Sequence, residues 1–229
     1  LEIVKPAVPL VTNGVMNLKV IAKRKEGFKT AIRVLMVWKP AGVSTLGEQT
    51  IPEGQNECNF VLDANANAPA GTWKFVVMGE ADAGNGRVFN ASPFCEVSTA
   101  AAYVSAPAIP LTAVEQGKEA IMVAKLETLQ PFIGEAVAQV VGVPDTIPIE
   151  SAKITKDTKE VSFKVTTHDK SPIGKQNNLF VQVEVPVPGG TTTHRIALGS
   201  VLRIDAPRKV VTPPPAAAVV AQNKPKEAA

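Results

Sequence analysis

Asn65-Ala66-Asn67-Ala68-Pro69-Ala70-Gly71 runs into Thr72-Trp73-Lys74-Phe75-Val76-Val77-Met78-Gly79, and this join of a turn to a strand decides the fold. Pro69 and Gly71 punctuate the chain. Trp73, Phe75 and Val77 then alternate with Thr72, Lys74 and Val76, the period of two that sends every second side chain to one face of a strand. The pattern returns in looser form as Asp169-Lys170-Ser171-Pro172-Ile173-Gly174, leading into Leu179-Phe180-Val181-Gln182-Val183-Glu184-Val185. A turn-and-strand element that occurs once in each half makes the chain two copies of one β unit.

Working outward, the same order of strands appears twice. Ala7 to Thr12 reads as an edge strand broken by Pro6 and Pro9. Asn13-Gly14 turns into Met16, Leu18, Val20 and Ala22, and a polar loop over 23–30 precedes Ile32, Val34, Met36 and Trp38. Val43–Leu46, the Cys58-Phe60-Leu62 alternation, the Trp73 strand, a hairpin at Asp82–Gly86 and a closing run over Arg87–Ser98 complete the first copy. In the second, Gln116-Gly117 repeats the turn, and Ala120, Met122, Ala124 and Leu126 repeat the Met16 series. Ala136, Ala138 and Val140 repeat the Ile32 series, Val161, Phe163 and Val165 repeat the Cys58 series, and Pro188-Gly189-Gly190 repeats the hairpin. Short alternating strands with frequent turn signals predict antiparallel β-sandwiches. The boundaries fall at 1–102 for sandwich one, 103–107 for a linker, 108–207 for sandwich two, and 208–229 for a Pro/Ala-rich tail.

The 229 residues give each copy room for its own core. Apolar residues at 45% and charged residues at 20% exclude a disordered chain, while 19 Pro and 16 Gly fit many turns. The net charge of +3 comes from the tail, so neither body has the basic face that nucleic-acid binding needs. No apolar run reaches membrane-spanning length, which argues against insertion. Leu1 stands directly before a strand; the chain reads as a fragment or a mature product, and the missing signal peptide does not speak against export. Cys58 and Cys95 fall at inward phases on strands expected in opposite sheets, and are read as buried thiols rather than a disulfide. Neither copy carries the paired cysteines or the tyrosine corner of antibody domains, so apolar burial around residues such as Trp73 must hold each unit.

Leu18–Phe28, Ile51-Pro52-Glu53-Gly54-Gln55 and Asn67–Trp73, with Val114–Glu119 and Leu202–Pro207 in the second copy, resemble the C-terminal immunoglobulin-like repeats of large exported bacterial proteins of the planctomycete type. Such proteins often carry pre-peptidase C-terminal domains. The resemblance covers nearly the whole chain to Pro207 and implies an all-β fold of two tandem immunoglobulin-like antiparallel β-sandwiches plus a Pro/Ala-rich tail. It also implies a secreted, cell-surface or periplasmic location. It implies no catalytic, cofactor or metal residue.

Residue chemistry gives little else. His168 and His194 are read as surface residues at strand ends, with no nucleophile or metal ligand spaced to them. Asp63-Ala64-Asn65-Ala66-Asn67 begins like a calcium loop, but Ala68 and Lys74 stand where Gly and Glu are required, so it is read as a turn. Lys23-Arg24-Lys25 is read as a solvated loop. That loop carries Phe28 and its counterpart carries Phe132, expected either to plug the sandwich ends or to offer apolar contacts to a neighbour. Val210, Val211, Val219 and Val220 flank the polyproline run and are expected to reach another chain. The expectation is therefore a non-enzymatic structural or interaction module that spaces, displays or docks, with other protein domains or its own copies as partners. One alternative is a self-assembling subunit of a filament or layer with a tail-mediated contact. A carbohydrate-binding accessory module ranks below it, because aromatics are 5% of the chain and mostly at inward phases. Removing the residues after Pro207 is expected to leave both sandwiches folded and weaken any assembly. A truncated chain that assembles as well as the full one, by light scattering, would contradict this.

Overall fold

The computed structural model of the chain describes residues 1–207, which contain strands, turns and loops and no helix. Val210, Val211, Val219 and Val220 lie outside the described residues. The first half comprises β1 (Glu2–Ile3), β2 (Leu10–Val11), β3 (Gly14–Ile21), β4 (Ile32–Trp38), β5 (Val43–Thr45), β6 (Gln49–Ile51), β7 (Glu57–Ala64), β8 (Gly71–Asp82), β9 (Arg87–Ala91) and β10 (Cys95–Ala100). One sheet runs β1-β3-β7-β5 and the other β2-β10-β8-β4-β6, with β9 also on β8. Pro6 and Pro9 mark the place where the first strand leaves one sheet for the other: β1 pairs antiparallel with β3, whereas β2 pairs parallel with β10. Proline suits that crossing because it asks for no ladder donor.

The second half comprises β11 (Val104–Ser105), β12 (Thr112–Glu115), β13 (Glu119–Lys125), β14 (Glu127–Thr128), β15 (Ala136–Val141), β16 (Ala152–Ile154), β17 (Glu160–Thr166), β18 (Gly174–Val187) and β19 (Gly190–Asp205). Its larger layer runs β12-β19-β18-β15-β16, again with the first strand, β12, parallel to the last, β19. β13 pairs β17 and β11 pairs β14, and a bridge from Ile149 to Val165 extends the opposite layer. Both halves thus show the strand order of an immunoglobulin-like sandwich, ABED facing a sheet built on CFG.

Two apolar clusters fill the sandwiches. Leu18, Val20, Phe60, Leu62, Phe75, Val77 and Val97 belong to one, and Met122, Ala124, Phe163, Val165, Val181, Val183 and Leu202 to the other. The alternation read from the sequence fixes these faces. Val104 joins the second cluster, at 2% exposure. Three inward expectations change. A register shift in the β4–β8 pairing between Met36 and Trp38 turns Trp38 outward, to 47% exposure. Trp73 is half-buried at the sandwich end, with its indole N–H donating to Thr99 Oγ1 at 2.8 Å, so Phe75 rather than Trp73 is the fully buried ring of that strand. Cys58 is only half-buried. It lies on β7 and Cys95 on β10, in opposite layers, and both thiols are free.

Both tryptophans, Trp38 and Trp73, lie in the first half, so their fluorescence reports on that half alone. Phe163→Ala removes a fully buried ring from the other half and is expected to cost about 3–5 kcal/mol. We expect the urea transition seen by far-UV dichroism to move and the tryptophan transition to stay. Equal movement of both would mean that the halves unfold as one unit.

Candidate functional site

The end of the second sandwich that carries its β18–β19 hairpin is built into the first. β18 and β19 pair from Gly174–Ile204 up to Val187–Gly190, and Pro188-Gly189 turns the tip. The hairpin reaches the base of the first sandwich, where β1 covers only the far end of β3. Thr193 and His194 of β19 pair with Val15 and Gly14 on the part of that edge left open. Gly14 is needed twice over: a Cβ at this position would lie 2.5 Å from the Val11 carbonyl oxygen of its own sandwich and 2.8 Å from the Thr193 carbonyl oxygen across the joint. Arg195 donates its backbone N–H to Asn13 O at 2.8 Å, and its guanidinium pairs with Asp63. Thr192 Oγ1 donates to Pro9 O at 3.2 Å, and Gln130 Nε2 to Ala101 O at 2.7 Å. The outcome is one nine-stranded sheet running through both sandwiches.

His194 lies at the centre of this joint with no exposed surface, which corrects the expectation of a surface histidine. Its Nε2 is 3.1 Å from Val104 O, and Nδ1 is buried with no hydrogen-bond partner among the described residues. Burial pushes its pKa down to about 4, and the Val104 hydrogen bond opposes this only in part. The histidine is held neutral. Sequence position gave no sign of this, because its neighbours in space, Gly14 in the first half and Val104 at the start of the second, are far from it along the chain. His168 is exposed, as expected.

The two phenylalanines singled out in the sequence sit at equivalent ends with different surroundings. Phe132 is buried, with its ring edge-on to Tyr103 at 6.4 Å, beside a groove of about 360 Å³ that Ile133, Pro186 and Val187 also line. Phe28 is half-buried and walls a groove of about 370 Å³ with Leu1, Ile32, Val88 and Phe89. So Phe132 plugs its sandwich, while Phe28 forms part of an open apolar end. Arg24 lies 5.8 Å over the Phe28 ring and donates to the carbonyls of Thr30, Gln55 and Pro52 at 2.6, 2.8 and 3.2 Å. Its charge ties the loop together, and Lys23 pairs with Glu2. The Asp63–Asn67 stretch is a turn: Asn65 Oδ1 accepts from Asn67 N at 2.8 Å, and Asp63 is committed to Arg195. Burial pushes both cysteine thiols up, away from the reactive thiolate. Among the described residues no group of three or more His, Cys, Asp or Glu side chains is arranged to hold a metal ion.

No family model and no curated protein matches the chain. Among solved structures it is similar to a protein of unknown function from Porphyromonas gingivalis W83, at 8% identity and TM-score 0.32, covering 88% of this chain and 96% of that one. The D0–D1 domains of intimin give 13% identity and TM-score 0.29 over 90% and 94% of the two chains. The titin Ig tandem A164–A165 gives 11% and 0.23 over 88% and 92%. Likenesses this loose carry no functional information, and the immunoglobulin-like assignment rests on the strand order.

His194 makes the joint sensitive to acid. Its folded pKa lies below the ordinary histidine value of roughly 6.5, so the unfolded chain takes up a proton first as pH falls. The stabilisation is complete above that value and is lost as pH drops towards about 4. Between pH 7.5 and 4.5 the loss should be about 2–3 kcal/mol. Urea midpoints at both pH values, compared with His194→Asn, check this: the variant should lose that share of the pH dependence. Identical pH profiles would contradict it.

Proposed function

We propose that the chain is a non-catalytic structural and interaction module, a stiff two-sandwich rod that spaces or docks other protein domains. The observation that carries this reading is the sheet that continues from β19 into β3. A connection meant to be flexible would leave that edge open and join the halves by a linker alone. Here backbone pairing, the Arg195–Asp63 ion pair and a buried histidine hold the halves at a fixed angle. Side-chain chemistry supports the same reading: one histidine is sealed in the joint, and both thiols are held protonated. Among the described residues no helix is long and apolar enough to cross a membrane. We place the module outside the cell, as part of an exported bacterial protein of the planctomycete type, on the sequence resemblance.

The reading is tested by ¹⁵N relaxation of the whole chain. Amides of both sandwiches should report one common anisotropic tumbling tensor. Gly14→Val, which puts a side chain against Thr193 O and against the Val11 carbonyl of its own sandwich, combined with Asp63→Ala, should uncouple them, with an unchanged tryptophan transition confirming that the first sandwich still folds. Independent tumbling in the unaltered chain would rule out a stiff spacer.

A further inference from the structure

Among the described residues, His194 is the only buried side chain that gains a charge in acid, and its site has no place for a second proton. Nε2 lies 3.1 Å from Val104 O and 3.4 Å from Val104 N, so a neutral ring meets that backbone as donor or as acceptor. An imidazolium carries an N–H on both nitrogens. Its Nδ1–H would have no acceptor among the described residues, in a site with no exposed surface. A buried charge left unpaired is far costlier than a buried neutral ring.

The charged groups on the surrounding elements offer no relief. Arg195, next along β19, has the same sign as an imidazolium and is paired with Asp63 of β7. Glu184 of β18 is exposed and alternates with Val183, the partner of His194, so it points to the other face of its strand. Along β3 the first charged residue is Lys19, five positions beyond Gly14. Tyr103, before β11, is uncharged in acid, and Glu127 of β14 is exposed and accepts from Ser105 Oγ at 3.4 Å. No carboxylate is placed to pair with the ring.

The contacts that close this site are also the shortest in the fold. β19 meets β3 over two residue pairs and β11 meets β14 over two, whereas β3 and β7 share seven and β13 and β17 share seven. Proteins open first where few backbone bonds must break. The hydrogen bonds from Arg195 N to Asn13 O and from Thr192 Oγ1 to Pro9 O part in the same event. We infer that the joint is an acid-operated hinge: protonation of His194 releases β19 from β3 while both sandwiches stay folded, so a spacer that is stiff near neutral pH becomes articulated in acid. The inference adds a regulation to the stiff-spacer reading and rests on it. A released ring regains the ordinary value of roughly 6.5, against about 4 in the closed joint. The closed form therefore keeps its full advantage above the higher value and loses it as pH falls towards the lower. Between pH 7.5 and 4.5 the ratio of open to closed joints should rise about 70-fold.

The test is hydrogen exchange of the full chain, read amide by amide by NMR at both pH values and corrected for the intrinsic rate. The Arg195 amide, bonded to Asn13 O, reports the joint. Ala22, bonded to Asn56 O, and Thr167, bonded to Lys118 O, report the two sandwiches away from it. Arg195 protection should fall about 70-fold in acid while Ala22 and Thr167 keep theirs. His194→Asn and His194→Gln cannot take up the proton, and in either the Arg195 protection should stay level between the two pH values. Two variants are made so that a failure of one to fold leaves the other to decide. Unchanged Arg195 protection in the unaltered chain overturns the hinge, and so does a fall in the variants as large as in the wild type. An equal fall at all three amides overturns it too, because the whole chain would then be loosening. Common tumbling at pH 7.5 with no acid effect at Arg195 refutes the hinge and leaves the stiff spacer standing; independent tumbling at pH 7.5 refutes both.

Discussion

The backbone pairing of Thr193 and His194 with Val15 and Gly14 is the constraint on which the tandem depends. Each sandwich has its own apolar core, but the relation between them is fixed by a strand of one completing a sheet of the other. That arrangement sets demands on residues that look unrelated in sequence. Gly14 must lack a side chain, the hairpin must be long enough to reach Ala7, and the imidazole trapped at the crossing must stay neutral. Asp63 and Arg195, far apart along the chain, meet only because the edges align. A neutral histidine and a partly exposed ion pair contribute modest energy. Their larger effect is to exclude other angles between the two sheets.

Each half alone is an economical sandwich. The first strand divides itself between the two layers at Pro6 and Pro9, so both layers gain an edge partner from one short segment. Between β9 and β10, Ser92-Pro93-Phe94 interrupts the last strand. Ser92 keeps the interruption satisfied: its N–H donates to Val77 O at 2.8 Å, and its Oγ accepts from Val77 N at 3.1 Å. Beyond that break, β9 stands clear of the core with every residue exposed. The equivalent length of β19 is the part that enters the joint, so one structural device serves a covered end and an open one.

Much of the architecture was legible in the sequence because period-two alternation is a local signal. The Leu18, Phe60, Val161 and Phe163 series all face inward as the pattern requires. The exceptions arise from interactions that a local pattern does not encode. Trp38 turned outward because a register shift inserts one residue before it, and Trp73 is half-buried because it lies at the end of its layer. The joint was legible only as a short linker over residues 103–107. His194 was misread, since its environment is made by Gly14 and Val104, and nothing next to it in the chain announces them. Phe28 and Phe132 were legible as a matched pair, but not their different surroundings, which depend on what each end of the tandem meets.

The pairing of β19 with β3 also has a consequence in time. During synthesis the first sandwich can close once its last strand, ending at Ala100, has left the ribosome, whereas its partner at Thr193 and His194 is still to be made. At roughly 5–20 residues per second that interval is about 5–20 s. For this period the start of β3 is an unpaired strand edge in the crowded exit region, open to pairing with any neighbouring nascent chain. The exposed stretch is short, bounded on one side by the Asn13 turn and on the other by β1. An edge of five residues, Gly14 to Leu18, offers few hydrogen bonds to hold a wrong partner until the right one arrives.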